Sequence, residues 1–266
     1  MDSTVGSAAG SMRYRVEGPA SGPPLLFSNS LGTTLELWDA QAEVLARSYR
    51  VIRYDTRGHG GSSVGTGDYT IDDLGRDALA VLDAAGARTA HVCGISLGGL
   101  TAMWLGVNAP DRVNALVTAN TAARVGTEER WNERMDKVRR EGMTPIADMV
   151  MGTWFTEDFR KREPAVISRF HRMVASCPPA GYLGCCAALR DADLREAVRT
   201  VRARTLVVAG QFDQSTTVAN AEEIRARISG AQLITLPSAH LSNVELADDF
   251  TRHLDAFLSH RDSSNA

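Results

Sequence analysis

Six short apolar runs, separated by longer segments with helical periodicity, most constrain the fold of this chain of 266 residues. Runs of this kind, without alternating polar residues, are typical of strands that are buried on both faces of a sheet. Parallel neighbours need long crossover connections, and the intervening segments can supply them as helices. The runs are 25–27, 51–54, 90–93, 115–118, 205–208 and 232–235. We therefore predict an α/β fold in which a mostly parallel central sheet carries helices on both faces.

Three segments depart from this alternation. Residues 1–11 are small and polar and show no apolar period, so we expect a disordered leader or a cloning remnant. Residues 14–18 precede a turn rich in Pro and Gly and can add an antiparallel edge strand. Between 124 and 195 no buried strand run occurs and the pattern is helical and charged, which predicts a helical cap inserted into the fold. The core is then 12–123 together with 196–261.

Composition narrows the classes of partner. The 29 basic and 32 acidic residues give a net charge of −3, which argues against nucleic acid and anionic lipid as partners. No stretch approaches the roughly 20 apolar residues of a membrane helix, and no signal peptide is apparent, so we expect a cytoplasmic protein. The four cysteines lack metal-ligand spacing, and we expect reduced thiols and no metal. Whether the chain forms a homo-oligomer is left open.

The segment Gly94-Ile95-Ser96-Leu97-Gly98 lies between a buried run and a helical segment. This is the strand–turn–helix context of a nucleophile elbow, in which the turn lifts a serine hydroxyl above the sheet. The flanking glycines are needed because neighbouring backbone lies too close for a side chain. The pattern predicts Ser96 as a nucleophile and the backbone N–H of Leu97 as one donor to the oxyanion that its attack creates.

A serine nucleophile needs a base that is oriented by an acid. Asp213 and His240 each follow a buried run, and the chain order Ser96, Asp213, His240 is that of the α/β-hydrolases. All three then lie at the carboxyl ends of strands, where catalytic groups of open α/β sheets gather. Asp55 also follows a strand; it is the alternative acid, although we favour a role as a loop anchor. The remaining histidines are predicted to be structural or exposed: His59, His91, His171, His253 and His260.

From residue 12 to residue 258 the sequence resembles the α/β-hydrolase superfamily, and four segments resemble the 3-oxoadipate enol-lactonase family. These segments are 28–34, 54–60, 93–99 and 120–124. The resemblance implies that the backbone N–H of Leu31 is the second oxyanion donor, although Asn29 replaces the usual histidine of that loop. It further implies hydrolysis of 3-oxoadipate enol-lactone to 3-oxoadipate in aromatic-compound degradation, without a cofactor.

A substrate carboxylate held under a cap needs a cation, because an unpaired buried charge is very costly. Arg134 follows Trp131 by three residues and shares its helix face, so we expect Arg134 to bind the carboxylate. Trp131 and Trp154 are the predicted pocket walls. The alternative interpretations are a solvated arginine and two tryptophans in the cap core, with Arg124 and Arg172 as rival cations.

Other functions fit the same residues. One alternative is another cofactor-free serine hydrolase, such as a carboxylesterase, a carbon–carbon bond hydrolase or a perhydrolase. A different alternative is a ligand-sensing protein that keeps the triad without turnover. Dehalogenases and epoxide hydrolases need an aspartate at the elbow, and Ser96 argues against both.

Overall fold

One eight-stranded sheet forms the centre of the protein in a computed structural model that describes residues 2–259. The strands are β1 (Asp2–Ser7), β2 (Gly10–Glu17), β3 (Pro24–Ser28), β4 (Arg50–Tyr54), β5 (Ala90–Ile95), β6 (Val113–Ala119), β7 (Arg204–Gly210) and β8 (Gln232–Leu236). Their order is β1-β2-β4-β3-β5-β6-β7-β8. β2 pairs antiparallel with β1 and β4, and all other neighbours are parallel. The predicted mostly parallel sheet with an antiparallel edge is therefore confirmed.

Helices connect the parallel strands and cover both faces of the sheet. They are α1 (Asp39–Leu45), α2 (Ile71–Ala84), α3 (Leu97–Asn108), α4 (Glu128–Glu141), α5 (Thr144–Trp154), α6 (Glu157–Arg162), α7 (Pro164–Ala175), α8 (Pro179–Asp191), α9 (Val218–Arg227), α10 (Ser242–Glu245) and α11 (Ala247–Ser259). α2 shows why such segments become helices. Its Thr70 cap and Asp73 exchange hydrogen bonds, and its apolar face is buried. In the part of the chain from 2 to 259, no helix combines the length and apolarity needed to cross a bilayer.

The N-terminal segment corrects the sequence-based expectation. β1 pairs residue by residue with β2, so the disordered leader predicted for residues 1–11 is wrong for the described residues 2–11. Asp2 holds the hairpin through ion pairs to Arg13 and Arg15, at 2.6 Å each. The hydrogen bond from Arg15 leads the interactions that lower the pKa of Asp2 to about 2. The strand lacks an apolar period because it lies at the sheet edge and is largely exposed, so periodicity could not reveal it. Residue 1, like 260 and 261 of the expected core and His260, lies outside the described residues.

Five helices, α4 to α8, lie between β6 and β7, inside the range 124–195 expected for a cap. α4 packs against α8, and α5 packs against α7. At the base of this insertion the N–H of Leu194 donates to the carbonyl of Ala123 at 2.8 Å. The N–H of Leu241 donates to the carbonyl of Trp154 at 3.1 Å, so the loop after β8 is tied to the end of α5.

α8 touches the loop after β4 at a contact that only glycine allows. A Cβ placed on Gly181 would lie 2.2 Å from the carbonyl oxygen of Gly58, and a Cβ on Gly58 would lie 2.4 Å from the Cα of Gly181. Gly58 also has φ +75°, which disfavours other residues. The two backbones therefore pack directly, and this contact joins the cap to the core.

We expect Gly181→Ala to lower the free energy of unfolding by about 1–3 kcal/mol, because the added methyl group must push two backbones apart. Gly152→Ala is the matched control, since Gly152 also lies in a cap helix but its Cβ would meet only Arg160, at 3.9 Å. That variant should be neutral, or more stable by up to about 1 kcal/mol, because alanine is the better helix former. Urea unfolding followed by circular dichroism measures both. Equal stabilities for the two variants would contradict this account of the contact.

Candidate active site

Ser96 occupies the sharp turn between β5 and α3. Its φ of 56° is a conformation that residues other than glycine rarely adopt, as expected for a strained nucleophile turn. A Cβ on Gly94 would lie 2.0 Å from the carbonyl oxygen of Gly98, and a Cβ on Gly98 would lie 2.1 Å from that of Ser28. Both glycines of the predicted elbow are thus required by close backbone contacts.

His240 and Asp213 form a hydrogen-bonded pair, with 2.8 Å between Nδ1 and Oδ2. The backbone N–H groups of Ser215 and Thr216 donate to Oδ1 of Asp213, and the Thr216 hydroxyl donates to Oδ2. Burial raises the pKa of Asp213, but the interaction with His240 and the donors from Thr216 outweigh it and lower that pKa to about 2. Asp213 is therefore ionised near neutral pH. Because a carboxylate only accepts, Nδ1 of His240 carries the proton and Nε2 is the basic nitrogen.

The structure brings the predicted nucleophile and base to one cavity under the cap. Ser96 and His240 both line it, while Asp213 lies behind His240 and is 4% exposed. The cavity wall also includes Leu31, Trp131, Arg134 and Trp154. Two of the three triad candidates, the expected oxyanion loop and all three cap candidates therefore surround the same space.

Asp55, the alternative acid, lies in a different environment. Its carboxylate accepts hydrogen bonds from the backbone N–H groups of Leu35 at 2.7 Å and Gly61 at 2.8 Å. Arg13 pairs with it at 2.9 Å. Asp55 thus ties together two loops and the N-terminal hairpin. This is the geometry of a loop anchor.

The loop that carries Leu31 is held by a buried histidine. The N–H of Gly32, which has φ +80°, donates to Nε2 of His59 at 2.9 Å, and Nδ1 of His59 lies 3.1 Å from the carbonyl of Arg57. Burial lowers the pKa of His59 to about 4, so the imidazole is neutral and can accept. Within residues 2–259, the N–H groups of Leu31 and Leu97 have no hydrogen-bond acceptor. Both are therefore available to a ligand.

The cap supplies two guanidinium groups to the cavity wall. Arg134 lies 5.2 Å from the ring centre of Trp131, as expected from their spacing. Arg130, one turn earlier on α4, also lines the cavity and is not among the site residues predicted from the sequence. The sequence does contain one signal for this position: Arg130 precedes Arg134 by four residues, so the two share a helix face. The rival cations lie elsewhere: Arg124 pairs with Asp193, and Arg172 bonds Ser168 on the surface.

Neither cavity arginine has an anionic partner within residues 2–259. Among the described residues, no Asp or Glu forms an ion pair with Arg130 or Arg134. Burial lowers the pKa of Arg130, and the repulsion of Arg134 adds to this effect, while Asp213 opposes it. A guanidinium nevertheless stays charged at neutral pH. The cavity is therefore electrostatically prepared for an anion.

Comparison with known proteins identifies the class that this fold and site define. The chain belongs to the α/β-hydrolase fold family, whose profile matches residues 23–245. This confirms the superfamily resemblance drawn from the sequence motifs.

Within that family the chain is similar to 3-oxoadipate enol-lactonases. It is 40% identical over 247 residues to 3-oxoadipate enol-lactonase 2 of Acinetobacter baylyi, covering 93% of this chain and 92% of that protein. The crystal structure of the enol-lactonase from Burkholderia xenovorans LB400 matches with a TM-score of 0.95 and 38% identity, over 97% of this chain and 100% of that one. A putative carbamate hydrolase of Variovorax paradoxus is 28% identical, over 93% of this chain and 96% of that protein.

We expect His59→Phe to lower kcat on an aryl ester by roughly 10- to 100-fold with little change in KM. The variant keeps an aromatic ring but loses the acceptor for the Gly32 N–H, so we expect the adjacent oxyanion loop to be misplaced. Loss of a whole oxyanion donor costs about 10²–10³ in rate. His91→Phe is the control, because His91 lies on β5 away from the cavity. Steady-state kinetics of both folded variants test this. An unchanged kcat in His59→Phe would refute it.

Proposed function

We propose that this protein hydrolyses a small enol-lactone that bears a carboxylate, converting 3-oxoadipate enol-lactone to 3-oxoadipate in the degradation of aromatic compounds. The observation that carries the proposal is one cavity lined by Ser96, by His240 with its Asp213 partner behind it, and by two arginines that form no ion pair with an acidic side chain of residues 2–259. The similarity to enol-lactonases along nearly the whole chain supports the same substrate class.

In the proposed first step, Ser96 Oγ attacks the lactone carbonyl while Nε2 of His240 takes the hydroxyl proton. Asp213 holds the imidazole and stabilises its positive charge. The N–H groups of Leu31 and Leu97 stabilise the oxyanion. The ring C–O bond then breaks while His240 gives its proton to the departing oxygen, which leaves as an enol more readily than an alkoxide would. This enol stays attached to the acyl chain and tautomerises to the ketone.

In the proposed second step, a water molecule gives a proton to His240 and attacks the acyl-enzyme carbonyl. The bond to Ser96 breaks, and His240 returns the proton to the serine oxygen. The product leaves with one more carboxylate than the substrate had. Both acyl-transfer steps pass their protons through His240, so the proposed hydrolysis needs no cofactor.

The two arginines favour an acidic substrate over a neutral one. A guanidinium presents a planar fork of donors that matches a carboxylate. Arg130 and Arg134 lie one helical turn apart, so a single carboxylate can contact both. Trp131 and Trp154, which are 6% and 5% exposed, can cover the apolar part of a small ring. Neutral esters would leave both cations without a partner.

Ser96→Ala and His240→Ala should each lower turnover of the lactone by several orders of magnitude while the fold is retained. Each variant removes one member of the acyl-transfer set, and losses within such sets are large and not additive. The double variant should therefore be only slightly slower than either single one. Initial rates with purified, folded proteins give the comparison. Near-normal turnover in either single variant would exclude the assignment.

Arg134→Gln and Arg130→Gln should each reduce kcat/KM for the acidic lactone by roughly 10-fold or more, since charge-assisted hydrogen bonds are worth about 1.5–3 kcal/mol. Turnover of a neutral aryl ester should change much less. Arg139→Gln is the matched control, because Arg139 lies on the same helix but pairs with Asp136 at the surface. Equal losses on both substrates would show that these arginines do not bind the carboxylate.

A further inference from the structure

Asn120 directly follows β6 in an unusual backbone conformation. Its φ is 43°, and among the described residues it shares a positive φ outside glycine only with Ser96. Asparagine tolerates this left-handed region better than most residues do. The N–H of Asn120 donates to the carbonyl of Val208 at 2.8 Å, and the residue is 1% exposed. The backbone of Asn120 is thus fixed at the carboxyl end of the sheet, and its polar side chain is buried there.

The amide of Asn120 reaches the acid and the loop that carries the base. Nδ2 lies 3.2 Å from Oδ2 of Asp213 and 3.1 Å from the carbonyl oxygen of Ala239, the residue before His240. Both of these oxygens can only accept, so the NH₂ group must face them. Oδ1 then faces Ser242 and accepts its hydroxyl hydrogen at 2.5 Å. The orientation of the amide is therefore determined by its partners.

The surrounding backbone leaves room for this amide and for little else. A Cβ on Gly210, at the end of β7, would lie 2.8 Å from Nδ2 of Asn120 and 2.2 Å from the carbonyl oxygen of Ala239. Position 210 therefore requires glycine, because the amide of Asn120 and the loop that carries His240 meet there. One side chain consequently connects the carboxyl ends of β6, β7 and β8.

We propose that Asn120 is a positioning residue that aims Oδ2 of Asp213 at Nδ1 of His240 and moderates the negative charge that Asp213 presents to the imidazole. This inference rests on the proposed acyl transfer at Ser96. Asn120 acts through the acid and does not touch the reacting atoms. Its hydrogen bond takes up part of the charge on Oδ2, and its bond to Ala239 sets the distance between the two loops.

Replacing the amide by a carboxylate reverses this effect. In Asn120→Asp, a second carboxylate lies next to Asp213. It takes the place of an NH₂ group that donates to two acceptor oxygens. The protonated imidazole is then favoured, because a nearby opposite charge stabilises the charged form. The other charged groups around His240 are Asp213, Glu245, whose carboxylate accepts from the N–H of Ala239, and Arg130 and Arg134 across the cavity. The variant replaces none of these side chains, and the change that reaches His240 is the loss of the amide donor to Asp213 and the added carboxylate beside it.

The test compares Asn120→Asp and Asn120→Gly with Asn114→Asp, an exposed asparagine-to-aspartate control that bonds Thr89. For Asn120→Asp, the acid limb of kcat/KM on a neutral aryl ester should move upward by about 1 pH unit. Asn120→Gly keeps the left-handed backbone but removes the amide, so its kcat should fall by roughly 10-fold with little change in KM. Asn114→Asp should match the parent protein.

A second measurement does not depend on turnover. NMR titration of the His240 ring should show its midpoint moving upward by about 1 pH unit in Asn120→Asp and not in Asn114→Asp. An unchanged midpoint together with an unchanged pH profile in a folded Asn120→Asp protein would overturn the inference. If the midpoint moves but the parent protein hydrolyses neither ester nor lactone, the positioning role stands and the proposed function fails.

Discussion

The structure depends on one close contact of backbones, where the beginning of α3 meets the ends of β3 and β5. The strained Ser96 turn exists because Gly94, Gly98 and the Ser28 carbonyl approach within distances that no Cβ would permit. The rigid parallel sheet supplies the stability that such a conformation requires. The same contact sets Ser96 beside the loop of Leu31. The proposed nucleophile, and two N–H groups without an acceptor among residues 2–259, therefore follow from the packing of three main-chain segments.

In the proposed function, the cap adds selectivity to the core through charge. Arg130 and Arg134 face the cavity, and in the described part of the chain no acidic side chain pairs with either. The cap is joined to the core next to the base, since Glu245 accepts from the N–H of Ala239 and from that of Thr156, which caps α6. His240 is therefore positioned by groups from both parts of the molecule. This arrangement favours coupling between recognition of an anionic substrate and alignment of the base.

Most of the sheet and the elbow could be predicted because their signals are local. A strand that is buried on both faces must be apolar along its length, and a sharp turn next to packed backbone must contain glycine. Predictions failed where those signals are missing. β1 lies exposed at the edge, and its pairing depends on backbone bonds and on Asp2 meeting Arg13 and Arg15. The cavity position of Arg130 was also missed, because its neighbours in the sequence do not show whether an acidic side chain lies near it in the fold.

The sequence by itself determined the alternation of buried strands with helices, the elbow and the chain order of Ser96, Asp213 and His240, because each follows from local burial or turn chemistry. Only the tertiary structure decided which groups meet. It placed Asp55 in an anchor and Asp213 against His240, it left two cap arginines facing a shared cavity, and it brought the Asn120 amide between two loops far away in sequence. The physical reason is that periodicity records how buried a residue is, whereas hydrogen bonds and charge pairs depend on distances between segments that the fold alone brings together.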